Sequence, residues 1–92
     1  MTPMSGGQAA VEALRAEKTS HVFGLIGSAT MEMFDALYDA KDIRFIGVHD
    51  ERTGTHMADG FARASGKAGV ILAGQNGPGA TNLVTGLAQA MA

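Results

Sequence analysis

"VHDERTGTHMADGFARASGK", Val48 to Lys67, sets two adjacent acids, Asp50 and Glu51, directly after an apolar run and then continues as a helix rich in alanine and glycine. The preceding run "IRFIGV", Ile43 to Val48, reads as a buried strand, and Gly66 is a natural stop for the helix that follows. On that helix the spacing puts Glu51 on one face with Gly54, Thr55, Ala58 and Ala62. Such a small-sided face lets a second backbone or a flat ligand come close to the carboxylate. Asp50 lies about 100° further round the helix or serves as its cap. A plainer reading stands beside this one: both acids simply complement the positive helix N-terminus, at roughly 0.3–1 kcal/mol each. A glycosidase pair is disfavoured, because adjacent side chains diverge too sharply to flank one bond.

The strand-to-helix pattern repeats on both sides. Upstream, Ser5 and Gln8 form a capping-box pair ahead of a helical stripe through Val11 and Leu14 to about Glu17. "HVFGLIG", His21 to Gly27, is the first strand, and Ser28 is placed to cap "ATMEMFDALYDA". Met33, Phe34, Leu37 and Tyr38 fall at helical spacing there and read as core filling. Downstream, "AGVILAG", Ala68 to Gly74, is the third strand, "QNGPG" a turn, and "ATNLVTGLAQAMA" a fourth helix. Continuous apolar strands alternating with helices predict an α/β fold, a three-layer α/β/α parallel sheet with helices on both faces. The closing "LAQAMA" is still in helical pattern, and a three-stranded parallel sheet normally hides its edges. Residues 1–92 are therefore expected to form the N-terminal part of a larger domain, incomplete at its C-terminus.

Composition narrows the function classes. Seven basic residues are scattered through a chain of formal net charge −2, which leaves no electrostatic footprint for nucleic acid or an anionic membrane. With no cysteine there is neither a disulfide nor a thiolate metal site, and a cytoplasmic setting is the default expectation. The opening "MTPMSGGQ" lacks a basic stretch followed by an apolar one, and no apolar run approaches the roughly 20 residues that span a bilayer.

If strand one lies between strands two and three, the chain reverses direction across the sheet. Ligands of open α/β sheets bind at such a switch point, beyond the carboxyl ends of the strands. "GSAT" (Gly27 to Thr30), "HDE" (His49 to Glu51) and "GQNGPG" (Gly74 to Gly79) would meet there. Glycine on both sides of Pro78 fixes a sharp turn and frees backbone N–H groups at a helix start, which suits something polar or merely a tight connection. Neither the dinucleotide G-x-G-x-x-G nor the P-loop pattern is present. His49 and His56 are seven apart without a third zinc-ligand pattern, and His21 reads as the end of the preceding loop.

Taken together, "FGLIGSA", "HDERTGTHMADGFARASGKAGV" and "QNGPGATNLVTGLAQA" resemble the N-terminal, pyrimidine-binding domain of thiamine-diphosphate enzymes of the acetolactate synthase group. The resemblance runs over nearly the whole chain. It implies that Glu51 hydrogen-bonds N1′ of the cofactor's aminopyrimidine as the activating acid. By the same resemblance Gly27, Ser28, Ala29, Asn76, Gly77, Pro78, Gly79 and Asn82 contribute to cofactor binding. The family string His-Glu-Gln stands here as His49-Asp50-Glu51-Arg52; aligning the histidines would choose Asp50, whereas counting back from "HMADGFARASGK" chooses Glu51, the longer match. Gln75-Asn76 replaces the Thr-Ser usual in acetolactate synthases and looks more like sulfoacetaldehyde acetyltransferases. The implied enzyme joins or cleaves carbon–carbon bonds of a 2-oxo acid or related carbonyl substrate. It uses thiamine diphosphate with Mg²⁺ bound by a later domain, and works as a homodimer or tetramer. Two other readings remain: an α/β module binding a nucleotide or anion on "NGPG", and a non-catalytic assembly subunit.

Overall fold

The computed structural model describes residues 3–92; Met1 and Thr2, the first two residues of the "MTPMSGGQ" opening, lie outside them. Helices α1 (Gly6–Ala16), α2 (Met31–Asp39), α3 (Glu51–Ser65), α4 (Pro78–Thr81) and α5 (Val84–Met91) alternate with strands β1 (His21–Gly24), β2 (Arg44–Gly47) and β3 (Ile71–Leu72). The sheet is parallel in the order β2-β1-β3, so the first strand is central, the arrangement in which the chain reverses direction across the sheet.

Side-chain alternation on the strands divides the core into two layers. Val22 is fully buried and packs with Val11 of α1, Phe34 and Leu37 of α2, Ala40 and Ile43, with Phe45, Val70 and Leu72 added from the sheet. Burying a Val, Leu or Phe side chain contributes about 1.5–3 kcal/mol, so this layer anchors α1 and α2. On the opposite face Phe23 meets Phe61 of α3 edge-on at 6.0 Å, and His21 packs its ring against the same phenyl at 5.1 Å. His21 is thus the first residue of β1 rather than the end of a loop, with Nδ1 2.8 Å from Ser20 Oγ. Phe34 and Leu37 are core as the spacing predicts, but Tyr38 is 78% exposed and carries Lys41 over its ring.

The helix ends follow local chemistry. Ser5 Oγ accepts from Gln8 N–H while the Gln8 side chain accepts from Ser5 N–H, completing the capping box. At the other end of α1, Lys18 N–H bonds to Arg15 O and Thr19 N–H to Leu14 O, a Schellman ending that requires a left-handed residue. Lys18 occupies that position at φ 59° although it is not glycine. Lys18→Gly in the complete protein is expected to stabilise by about 0.5–1 kcal/mol, because removing a left-handed penalty of roughly 1–2 kcal/mol outweighs the added chain entropy. Equilibrium urea unfolding checks this; a lower midpoint for the variant would contradict it. Helix α3 stops at Gly66 as expected, with φ 75° and its N–H on Ala62 O.

Three further expectations of the sequence are corrected. First, the strands are shorter than the apolar runs: β1 ends at Gly24 rather than Gly27, and β3 is confined to Ile71–Leu72 within Ala68 to Gly74. Bonds from Phe23 N–H to Val70 O and Leu25 N–H to Leu72 O carry the pairing slightly further before the two chains turn into site loops. Second, Ser28 does not cap α2. It opens a 3₁₀ turn, Ser28–Thr30, and its hydroxyl is drawn instead to Gln75 across the site. Third, the last helix starts at Pro78 and is interrupted between Asn82 and Leu83, where Leu83 N–H bonds to Ala80 O rather than a residue four back. Such a tight step inside a helix often marks a functional position.

Candidate functional site

The carboxyl ends of all three strands meet at one corner of the sheet. There the loop after β1 lies directly on the loop after β3: a Cβ built on Gly27 would sit 2.0 Å from Gly74 O. Thr30 Oγ1 donates to Ala73 O at 3.2 Å, and Gln75 Nε2 donates to Ser28 Oγ at 3.1 Å. The first and third segments picked from the sequence are therefore joined by backbone contact and two side-chain hydrogen bonds.

The second segment supplies the charge. Asp50, with extended backbone angles, is the N-cap of α3, and its Oδ1 accepts from Arg52 N–H at 2.8 Å. The Arg52 guanidinium closes on the same carboxylate, at 2.7 Å from Nη2 to Oδ2. The guanidinium first and the Arg52 N–H second hold the Asp50 carboxyl down at about 2. Asp50 therefore caps the helix beside its own cation.

Glu51, one residue on, points the other way. It is only 4% exposed, the one buried carboxylate among the described residues. Its Oε2 accepts from Gly74 N–H at 3.1 Å and its Oε1 from Asn82 Nδ2 at 3.3 Å. Burial acts to raise this carboxyl, but bonds from Gly74 N–H, from its own backbone and from the Asn82 amide outweigh it and hold the group below the usual range. Glu51 is a desolvated but ionised carboxylate.

The sign of that shift sets a pH dependence. A carboxyl whose pKa is lower folded than unfolded contributes stability that is complete above the unfolded value, ~4.3, and is lost as pH falls through the folded value. Glu51→Gln in the complete protein is accordingly expected to flatten the acid limb of a melting-temperature profile below about pH 5. An unchanged profile would mean that the two hydrogen bonds to Glu51 add nothing to folding.

The small face predicted for α3 is present and has a packing use. Gly54, Thr55 and Ala58 are buried with Glu51, and Ala62 is half-buried. Thr55 Oγ1 donates to Glu51 O at 2.6 Å, and α5 rests on this turn so closely that a Cβ on Gly86 would lie 2.3 Å from Thr55 Cγ2. Gly79 leaves the flank of the carboxylate clear: a Cβ there would stand 3.2 Å from Glu51 Oε2.

Of the other residues singled out from the sequence, Ala29, Asn76, Gly77 and Pro78 are exposed in the two loops bordering this corner. His49 and His56 are exposed, and no group of three His, Asp or Glu side chains among the described residues is placed to hold a metal ion. The contacts that sequence reasoning missed are the Gly74 N–H, the hydroxyls of Thr30 and Thr55, and the Gln75–Ser28 bond. A backbone amide leaves no mark in a sequence, and a threonine facing a carbonyl looks like any other threonine.

The corner thus holds a buried carboxylate at a switch point, walled by glycine backbone. Residues 4–92 match the family described as thiamine pyrophosphate enzyme, N-terminal TPP binding domain. The chain belongs to this family. Among its curated relatives, the chain is 49% identical over 89 residues to a probable acetolactate synthase large subunit of Methanocaldococcus jannaschii, covering 97% of this chain and 15% of that protein. It is 42% identical to the acetolactate synthase isozyme 3 large subunit of Escherichia coli, covering 98% of this chain and 16% of the relative. It is 47% identical to a sulfoacetaldehyde acetyltransferase of Alcaligenes xylosoxydans xylosoxydans, covering 95% of this chain and 14% of the relative. The chain thus spans about one-sixth or less of the length of these curated relatives. Within the described residues no helix is long and apolar enough to cross a membrane.

Proposed function

We propose that this chain is the N-terminal part of the pyrimidine-binding domain of an acetolactate synthase-like enzyme, and that Glu51 is the acid that activates its thiamine diphosphate. The observation that carries the proposal is the Glu51 carboxylate itself: 4% exposed, ionised, and reached at both oxygens by neutral donors only.

The residues present fit an aminopyrimidine ring. A ring nitrogen that must carry or share a proton needs a fixed acceptor in a dry site, and Glu51 is that acceptor. The missing Cβ of Gly79 keeps the flank of Oε2 clear. Gly27 and Ser28 with Ala29, and Asn76 with Gly77, Pro78 and Gly79, form the two loops that would border the ring, with Asn82 beside Glu51. Thiamine diphosphate, when bound, supplies the electron sink that lets a 2-oxo acid lose carbon dioxide and pass on the remaining carbon unit. Glu51 holds the proton at N1′, so it works as a general acid/base on the cofactor rather than on the substrate. Because Glu51 is ionised before any ligand arrives, it is set to stabilise a protonated N1′ as a charge-assisted hydrogen bond. Mg²⁺ and the diphosphate belong, on this reading, to residues outside the chain.

A second subunit completes the site in this proposal, as a homodimer or tetramer. The apolar side chains that α5 leaves exposed, Val84, Leu87 and Met91, support a further contact there. Assay of the complete protein with thiamine diphosphate, Mg²⁺ and pyruvate tests the enzyme class. Cofactor-dependent release of carbon dioxide is expected. Turnover of sulfoacetaldehyde instead would move the substrate to the acetyltransferase branch, and turnover of neither would reject the enzyme reading.

A further inference from the structure

Asn82 sits where the last helix is broken, and its amide meets the oxygen of Glu51 that Gly74 does not. We infer that Asn82 is a positioning residue: it fixes the plane of the Glu51 carboxylate for proton sharing, instead of contacting the cofactor. The inference rests on the reading of Glu51 as the cofactor's acid.

The geometry makes the case. The terminal torsion of a glutamate is broad and roughly two-fold, so one hydrogen bond leaves the carboxylate free to swing about it. Gly74 N–H on Oε2 is one pivot, and Asn82 Nδ2 on Oε1 is the second. Two donors on opposite oxygens define the plane and leave acceptor capacity on each, since an ionised carboxylate offers about four lone-pair sites. The two donors come from segments 23 and 31 residues away, so the plane is tied to the sheet end and to the helix at once.

The break in the helix is part of this arrangement. Asn82 N–H still bonds to Pro78 O in the α pattern, whereas Leu83 N–H turns to Ala80 O. The step falls between the two places where the last helical segments meet α3, namely Asn82 on the Glu51 side chain and Gly86 on Thr55. Thr55 in turn donates to the Glu51 carbonyl. The first turn of α3 is therefore gripped at its side chain and at its backbone by one helical hairpin of contacts.

Charge argues the same way. From Ala73 to Ala92 the sequence has no ionisable side chain, so the loop after β3, α4 and α5 present only neutral groups to Glu51. The charge that acts on Glu51 comes from its own junction: Asp50, paired with Arg52. A lysine or arginine at position 82 would neutralise the carboxylate in a salt bridge and compete with a protonated ring. A neutral amide orients it without doing so.

The test uses the complete enzyme with Asn82→Leu, which keeps the branched outline and removes the donor, and Asn82→Asp, which keeps the shape and adds a like charge. In the cofactor-free enzyme the Glu51 carboxyl is titrated by infrared difference against Glu51→Gln. Its midpoint is expected to rise by about one unit in Asn82→Leu and by more in Asn82→Asp. In the loaded enzyme, C2 hydrogen–deuterium exchange of bound thiamine diphosphate is expected to slow about tenfold in Asn82→Leu. The double variant with Glu51→Gln should be no slower than Glu51→Gln alone, since both changes act through one group. If Glu51→Gln abolishes exchange while neither Asn82 variant moves the midpoint or the rate, the Asn82 inference is overturned and Glu51 stands. If Glu51→Gln itself leaves exchange unchanged, the reading of Glu51 fails and takes the inference with it.

Discussion

Glu51→Gln in the complete enzyme is expected to slow C2 hydrogen–deuterium exchange of bound thiamine diphosphate by about 10²–10⁴-fold, the usual worth of a positioned acid/base. The amide is nearly isosteric. It still accepts through one oxygen, so Gly74 or Asn82 keeps a partner, and the fold should survive with little change in far-ultraviolet circular dichroism. What the amide cannot do is hold a proton between itself and a ring nitrogen. The effect should therefore appear in the exchange rate and scarcely in secondary structure. Full-rate exchange with cofactor demonstrably bound would remove Glu51 from the chemistry. Asp50 would not replace it, because its carboxylate is committed to the helix N-terminus and to Arg52.

The second large effect is structural. Gly27→Ala places a methyl group 2.0 Å from Gly74 O, 2.4 Å from its carbonyl carbon and 2.7 Å from its Cα. All three are backbone atoms, and no side-chain rotation relieves the overlap. The two site loops must part, at a cost of about 3 kcal/mol or more, the upper end of what overpacking does. Separation would also draw Gly74 N–H away from Glu51, so cofactor affinity should fall with stability. Gly60→Ala is the matched control: it lies mid-helix in α3 with nothing within 4 Å of an added Cβ. That change is expected to stabilise by roughly 0.5–1 kcal/mol. Denaturant unfolding of both variants checks the pair, and similar midpoints would mean that the Gly27–Gly74 contact does not hold the site together.

The parts of this fold legible in the sequence are those governed by local rules. The capping box at Ser5 and Gln8, the left-handed stop at Gly66 and the period of α3 depend on residues within one or two turns, and each is where the pattern places it. The meeting of three loops follows from a parallel sheet once β1 is central, an order that the folded chain supplies. The places where the reading failed involve residues far apart in the chain. Ser28 has the chemistry of a cap, yet a glutamine 47 residues away takes its hydroxyl. Tyr38 has the spacing of a core residue but stands at the solvent edge of α2. The last helix looked continuous in sequence, and its break falls between its contacts with Glu51 and Thr55 of another helix. At the site, spacing left Asp50 and Glu51 side by side, and the longer match to the family chose Glu51. The folded geometry separates them physically, turning one outward to arginine and the other inward to a glycine amide.

The most direct test of the central claim is the nitrogen-15 spectrum of thiamine diphosphate labelled at N1′ and bound to the complete enzyme, compared between wild type and Glu51→Gln. A protonated or proton-sharing N1′ resonates well upfield of a free ring nitrogen. The account predicts that upfield signal in the wild type and its return towards the free position in the variant. An N1′ signal at the free position in the wild type, unmoved by the substitution, would contradict it.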